Sequence, residues 1–191
     1  VLPEFVAQFE GGAASADGRA LFFTDGQNLE VANISNFNDG YAGTKFKNVT
    51  SLGVAGAHPT FPDTDFPVFR LADAYLMYAE AHLRGGGGTA ATAVGYVNEL
   101  LERAYGDPSG NITEGELTLD FIIDERAREL WWEGHRRTDL IRFGLFTSGD
   151  YVWSWKGGGQ AGAGVADSRN LYPLPASELL ANPNLTQNPG Y

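Results

Sequence analysis

Residues 125–144 read ERARELWWEGHRRTDLIRFG and contain the densest group of charged side chains in the chain. A capping-type cluster, Thr113-Glu114-Gly115-Glu116, lies ahead of them. The apolar surface of the helix predicted here comes from Phe121, Ile122, Leu130, Trp131 and Trp132. The pattern predicts one helix that starts near Thr118 or Leu119, continues through Gly134 to Phe143 and stops at Gly144.

The charges of this segment allow two interpretations. An enzyme could use two of the carboxylates as an acid and base pair, as glycosidases do. A structural ion lattice is the alternative. Arg136 and Arg137 follow Glu133 at the third and fourth positions, and Arg142 follows Asp139 at the third. Because nearby arginines lower the pKa of a carboxyl group, whereas a catalytic acid needs a raised one, we predict the lattice and no catalytic residue.

Two further helices are predicted upstream. The first covers 63–84, with Asp63 among its candidate caps and Pro67 in its first turn. One side of it carries Leu71, Tyr75, Tyr78 and His82. The second covers 89–105 and is capped by Thr89. The short glycine-rich connection predicts an antiparallel pair, on which the helix near 119–143 packs. The pair has nearly the length of a tetratricopeptide repeat.

The remainder of the chain is rich in turn residues, so the predicted fold class is mainly α with long irregular flanks. We predict a single domain, residues 1–191, with three parts: a loop-rich segment 1–62, a helical core 63–144 and an irregular tail 145–191 packed on the core. The tail is too apolar for a solvated terminus, and we expect Tyr172 and Leu174 to insert between helices.

Composition excludes several classes of function. Acidic residues outnumber basic ones 24 to 13 and the net charge is −11, so we predict no nucleic-acid partner. The chain has no cysteine, and its three histidines have no metal-ligand spacing. Asp107, Ser109, Asn111 and Glu114 faintly resemble a calcium loop, but they lack its glycine and its final glutamate, so an ordinary turn is predicted. No metal and no cofactor are predicted.

The candidate ligand-binding residues are Tyr151, Trp153 and Trp155, which alternate in the sequence YVWSW. If they were exposed, they would form a flat aromatic platform of the kind that suits the apolar faces of sugar rings. The alternative is that they pack against the helical body, because large aromatic side chains contribute most when buried. We favour packing against the helical body, and an exposed sugar-binding platform remains the alternative.

Several separated segments together resemble the SusD/RagB family and occur in that family's order. They are FRLADAYLMYAEA at 69–81, ERARELWWEGHR at 125–136, DLIRFG at 139–144, LYPLP at 171–175 and NPNLTQNPGY at 182–191. Shorter upstream matches are Asp17-Gly18-Arg19, Gly40-Tyr41 and Lys45-Phe46. The resemblance covers nearly the whole chain and corresponds to the C-terminal region of longer family members.

This resemblance implies a helical fold built on tetratricopeptide-like pairs and a binding protein without catalysis. It implies a surface-exposed lipoprotein of the cell outer membrane, which captures an oligo- or polysaccharide for nutrient uptake. The implied partner is a SusC-like TonB-dependent transporter. Because the chain starts at Val1 without Met, we expect a mature or trimmed piece whose contact with the membrane is through a lipid anchor absent from it.

Two other functions remain open at this point. A carbohydrate-active hydrolase could use Asp or Glu side chains, and a helical-repeat scaffold could bind only protein. No sugar-binding residue is carried over from the family, because the matching segments resemble its scaffold.

Overall fold

A computed structural model describes all residues from Val1 to Tyr191. The mainly helical fold class is confirmed, with 37% helix and 4% strand. The chain divides into two compact units, Val1–Arg136 and Arg137–Tyr191. The tetratricopeptide-like detail and the single-domain organisation stay predictions. None of the helices combines the length and the apolar character needed to cross a bilayer.

The regular elements are short apart from three helices. The first unit contains α1 (Pro3–Val6), β1 (Phe22–Phe23), β2 (Ala42–Gly43), α2 (Leu71–Leu83), α3 (Ala90–Tyr105) and α4 (Leu119–Leu130). Strands β1 and β2 form an antiparallel pair. Helix α5 (Arg136–Arg142) begins at the last residue of the first unit, and α6 (Ala176–Ala181) lies in the second.

The predicted starts of α3 and α4 are confirmed, and local chemistry explains both. The hydroxyl of Thr89 accepts a hydrogen bond from the Thr92 N–H at 3.1 Å, and that of Thr118 accepts one from the Phe121 N–H at 3.1 Å. Each threonine thereby satisfies one of the free N–H groups at a helix start. Helix α3 ends at Gly106, whose φ of 79° is the left-handed conformation that glycine adopts easily.

Helix α2 begins later than predicted. Its N-cap is Arg70, with an extended backbone at φ −132° and ψ 151°, and no side chain caps it. Asp63 does not cap this helix, because its carboxylate accepts from the Ala57 N–H at 2.7 Å. The extended backbone lets the Arg70 side chain reach Glu129 and Glu133 of the same unit.

The buried face of α2 also differs from the predicted one. Leu76 and Ala79 are fully buried, whereas Leu71 is 66% exposed. Tyr75 is half-buried and stacks on Tyr96 of α3, with ring centroids 4.4 Å apart. The two helices therefore pack against each other as predicted, but through different core residues.

The prediction of one continuous helix over 119–143 is wrong. Helix α4 ends at Leu130, and Trp131 has an extended backbone with φ −62° and ψ 142°. Trp132 follows with φ 63°, a left-handed conformation that is costly for a bulky residue. Trp131 is buried, and its ring lies 5.4 Å from that of Phe5 and 5.7 Å from that of Phe22. The contacts of Trp131 with Phe5 and Phe22 therefore stabilise a break in the helix at this residue.

The tail is ordered within the second unit by hydrogen bonds between side chains and backbone. The Gln187 amide donates to the Leu174 carbonyl at 3.0 Å and accepts from the Leu174 N–H at 2.8 Å. Asn188 donates to the Tyr172 carbonyl at 2.7 Å. The Tyr172 side chain is 68% exposed, so its predicted insertion between helices is wrong.

Candidate functional site

A buried network of charged side chains occupies the first unit. Arg19 is nearly buried and donates to Asp17 at 2.7 Å, to Glu125 at 2.5 Å and to Glu129 at 3.1 Å. Arg128, one turn of α4 beyond Glu125, also pairs with that carboxylate at 2.9 Å. The network therefore links the loop before β1 to helix α4.

Glu129 and Glu133 form the centre of this network. Arg70 donates to Glu129 at 2.9 Å and holds Glu133 in a two-pronged pair at 2.7 and 2.8 Å. Arg103 also pairs with Glu129, and Lys45 with Glu133. The predicted lattice is thus present. Of the expected partners of Glu133, which are Arg136, Arg137 or another arginine nearby, the structure gives the last, Arg70, in place of a pairing with Arg136 or Arg137. The break after Leu130 removes the helical spacing on which that pairing depended.

The charged network stabilises the fold and has no catalytic acid. Burial raises the pKa of Glu129 and of Glu133, but the charges and hydrogen bonds of their basic partners outweigh it, so the net pKa of both lies below the usual value. Such carboxylates stay ionised and cannot serve as a general acid near neutral pH. The pairing of Asp139 with Arg142 at 2.9 Å, in the second unit, is confirmed.

We expect stability to fall at low pH because of these carboxylates. Asp17, Glu129 and Glu133 all have a lowered pKa in the folded protein. Their contribution is complete above the unfolded pKa values and is lost as pH falls through the folded ones. Denaturant unfolding between pH 7 and 3 should show a nearly constant free energy down to about pH 5 and a steep fall below it. Glu133→Gln should flatten that fall, and an unchanged slope would contradict this explanation.

The second unit contains an open cleft with a volume of about 510 Å³. Aromatic and basic side chains dominate its lining, which comprises Arg137, Phe146, Trp153, Trp155, Lys156, Gly157, Val165, Arg169, Leu171, Tyr172, Pro173 and Tyr191. The guanidinium of Arg137 lies 3.9 Å from the Tyr172 ring centroid and 4.9 Å from that of Phe146. The guanidinium of Arg169 lies 5.2 Å from the Tyr191 centroid. Cation–π contacts of this kind hold the basic groups in place.

Lys156 is the buried anchor of this cleft. Its side chain is almost fully enclosed, and its ammonium donates to the carbonyls of Leu145 at 3.3 Å, Ser148 at 2.6 Å and Tyr151 at 2.5 Å. Burial lowers the pKa of Lys156. The ammonium also lies 4.6 Å from the Trp153 ring centroid. The lysine therefore fixes the loop that carries Trp153.

The backbone around Trp155 is unusual. Trp155 has φ 69° and ψ 4°, a left-handed conformation that a bulky residue keeps only when its surroundings impose it. Gly162 has φ 72°, and a Cβ atom there would lie 2.2 Å from the Trp153 carbonyl oxygen. The close approach of Gly162 thus supports the turn that directs both tryptophans, and no larger residue fits.

The structure brings two of the three sequence candidates into the cleft. Trp153 and Trp155 line it and are half-buried, while Tyr151 is not among its lining residues. The Tyr151 ring contacts that of Trp153 at 6.3 Å and is inclined by 65° to it. Sequence analysis did not identify the basic residues of the cleft. Lys156 follows Trp155 directly and could have been noticed, whereas Arg137 and Arg169 are distant along the chain.

Comparison with known proteins places the chain in a family. The model of the SusD family matches residues 13–191. Starch-binding protein SusD of Bacteroides thetaiotaomicron is 45% identical over 183 residues, which are 93% of this chain and 32% of that protein. SusD-like protein P2 of Formosa agariphila is 37% identical over 147 residues, 73% of this chain and 28% of the relative.

Solved structures show the same similarity. A SusD superfamily protein of Bacteroides vulgatus superposes with a TM-score of 0.67 at 27% identity and covers 100% of this chain and 39% of its own. A laminarin binding SusD-like protein gives a TM-score of 0.62 at 30% identity, with coverage of 100% and 38%. The chain spans about a third of the length of the curated relatives that it matches. From the family match and these relatives together, the chain belongs to the SusD family.

Proposed function

We propose that the chain acts as a non-catalytic glycan-binding subunit and that the cleft of Arg137–Tyr191 takes the saccharide. The observation that carries this proposal is the pair of half-buried tryptophans, Trp153 and Trp155, on the lining of an open cleft. Sugar rings have apolar faces that pack on aromatic side chains, and their hydroxyls need polar partners close by. The relatives include a starch-binding protein and a laminarin binding SusD-like protein, which supports the same class of ligand.

We propose that no catalysis accompanies binding. Glycosidases need one carboxyl group with a raised pKa and a second carboxylate close to it. The pKa of Asp124 is raised by its burial, yet Asp124 does not line this cleft. It does not line the open cleft of the first unit either, which lies beside the buried network and is lined by Arg19, Arg70 and Glu129 among others. Glu129 and Glu133 are held by basic partners. A saccharide-hydrolysis assay with turnover would contradict the proposal.

We expect Trp153→Ala and Trp155→Ala each to weaken glycan binding about tenfold. An aromatic contact adds about 0.5–1.5 kcal/mol beyond its buried area, and tenfold in affinity corresponds to about 1.4 kcal/mol. The measurement is calorimetric titration of the purified chain with a panel of neutral and acidic oligosaccharides, after the best ligand has been identified.

Trp132→Ala is the matched control for these variants. Trp132 is also a tryptophan, 62% exposed, and lies in the first unit outside the cleft. Its removal should leave the affinity unchanged. If Trp132→Ala weakens binding as much as Trp153→Ala does, the saccharide does not occupy this cleft.

The cellular setting is part of the proposal. The subunit would work at the cell surface, at the outer membrane, with a SusC-like TonB-dependent transporter. Three exposed phenylalanines of the first unit, Phe61, Phe66 and Phe69, which are 70%, 61% and 86% exposed, are candidate contacts for a polypeptide partner. Co-purification of a tagged protein with the transporter after detergent extraction tests this partnership.

A further inference from the structure

The charge of the cleft is opposite to that of the chain. The chain carries 24 acidic and 13 basic side chains, with a net charge of −11. The cleft nevertheless contains the three basic residues Arg137, Lys156 and Arg169 on its lining, and no Asp or Glu. Even with a terminal carboxylate on Tyr191, positive charges prevail three to one. The cleft is therefore a local site of positive charge on a chain that is acidic as a whole.

No side-chain carboxylate neutralises these cations. Arg137 donates through Nη2 to the carbonyls of Arg169 at 2.7 Å and Asn170 at 3.4 Å, which leaves its Nε and Nη1 without a hydrogen-bond partner. The Arg169 side chain forms no hydrogen bond and no ion pair, and its guanidinium lies 5.2 Å from the Tyr191 ring centroid. Lys156 donates to carbonyls. Carbonyl dipoles satisfy an ammonium but leave its net charge in place.

The cleft of the first unit gives the opposite picture. Arg19 and Arg70, which line it, each pair with at least two carboxylates. The arginines of this chain are therefore normally matched by acidic partners, and Arg137 and Arg169 are exceptions that lie in the same cleft.

We infer that the cleft selects an acidic saccharide, whose anionic substituent binds to Arg137 and Arg169 while its ring packs on the tryptophans. The inference rests on the proposed function of the cleft. A guanidinium presents several N–H donors in a plane, which suits a carboxylate or a sulfate group better than a hydroxyl. Arg137 contacts two aromatic rings and two backbone carbonyls, so its guanidinium is already in position before the ligand arrives.

Lys156 strengthens the preference for acidic saccharides through its charge, without contacting the ligand. Its charge is buried, where the protein screens it less than water would, so it contributes positive potential at the Trp153 side of the cleft. The ammonium itself does not contact the ligand, because the three carbonyls of its own loop surround it.

The test compares a charged sugar with a neutral one of the same backbone. Calorimetric titrations use oligogalacturonate, its methyl-esterified form, a sulfated oligosaccharide and a neutral malto-oligosaccharide. We expect at least one acidic ligand to bind about tenfold or more tightly than the neutral ones, and more weakly at high salt. Comparison of the affinities for oligogalacturonate and for the sulfated oligosaccharide shows whether a carboxylate or a sulfate group is preferred.

Arg137→Gln and Arg169→Gln, singly and together, should weaken binding of the acidic ligand much more than binding of the neutral forms, so that the preference is lost. Arg84→Gln, which removes an arginine of the first unit that pairs with Glu80, should preserve the preference. Equal binding of esterified and free oligogalacturonate and of the sulfated ligand, or a preference that survives the double substitution, overturns the acidic selectivity and leaves glycan binding intact. Absence of binding to every saccharide overturns both the selectivity and the proposed function.

Discussion

Glu129→Gln should lower the free energy of unfolding by about 3–5 kcal/mol, since removal of one partner of a buried ion pair leaves the other charge uncompensated. Glu129 is buried and accepts from Arg19 at 3.1 Å and from Arg70 at 2.9 Å, and it also pairs with Arg103. The glutamine has nearly the same shape, so the loss reports the charge and not a cavity. Chemical denaturation at pH 7 measures it.

Glu102→Gln provides the control for this measurement. Glu102 is exposed and its carboxylate accepts only from the Asn111 amide, at 2.7 Å. Exposed substitutions of this kind usually change stability by less than about 0.5 kcal/mol. A loss below about 1 kcal/mol for Glu129→Gln would show that the network is solvated in solution, and the pH dependence expected from it would then disappear as well.

The network also shows how far sequence can predict the fold. The limits of α3 follow from local chemistry, because Thr89 and Gly106 act on their own helix. The start of α2 depends on Arg70, whose partners Glu129 and Glu133 lie 59 and 63 residues further along the chain. Spacing within one helix carries no information about such partners. Sequence therefore predicted an ion lattice and an arginine partner for Glu133, but it did not identify that partner as Arg70.

The break after Leu130 has the same origin. Helical spacing continues through Trp131 to Phe143, and nothing local stops it before Gly134. Trp131 leaves the helix because its ring packs on Phe5 and Phe22, which are far upstream. Hydrophobic periodicity describes the faces of a single helix. It cannot predict a cluster of aromatic side chains that comes from three separate segments of the chain.

The cleft was only half predictable for a similar reason. Trp153 and Trp155 stand out by composition in a segment rich in glycine. Arg137 and Arg169 look like ordinary surface charges in sequence, and their meaning depends on the absence of carboxylate partners, which only the fold shows.

Lys156→Met should lower the free energy of unfolding by about 3 kcal/mol, although two effects oppose each other. The carbonyls of Leu145, Ser148 and Tyr151, which belong to half-buried residues, lose their donor, and an acceptor left unsatisfied away from water costs about 1–3 kcal/mol. The substitution also relieves the burial of a charge, which lowers the pKa of this lysine. We expect the cost of three unsatisfied carbonyls to exceed the gain from no longer burying one charged ammonium.

Lys47→Met is the control for stability, because Lys47 is exposed and outside the cleft. Near-ultraviolet circular dichroism follows the tryptophan environment, and denaturant titration gives the free energy. Equal stability of Lys156→Met and the unchanged protein would mean that the carbonyls find water instead, and the loop would not depend on the lysine.

Binding separates a positioning role of Lys156 from a purely structural one. The ammonium lies 4.6 Å from the Trp153 ring centroid, and the carbonyls that it holds belong to the loop leading to that tryptophan. Below the melting temperature of Lys156→Met, the folded protein should therefore bind oligosaccharide about tenfold more weakly, through a ring that is no longer held in place. Lys156→Arg keeps the charge but alters the shape that the carbonyl cage accepts, so it should recover the acidic preference more than it recovers stability. An unchanged affinity in folded Lys156→Met would confine the lysine to a role in stability.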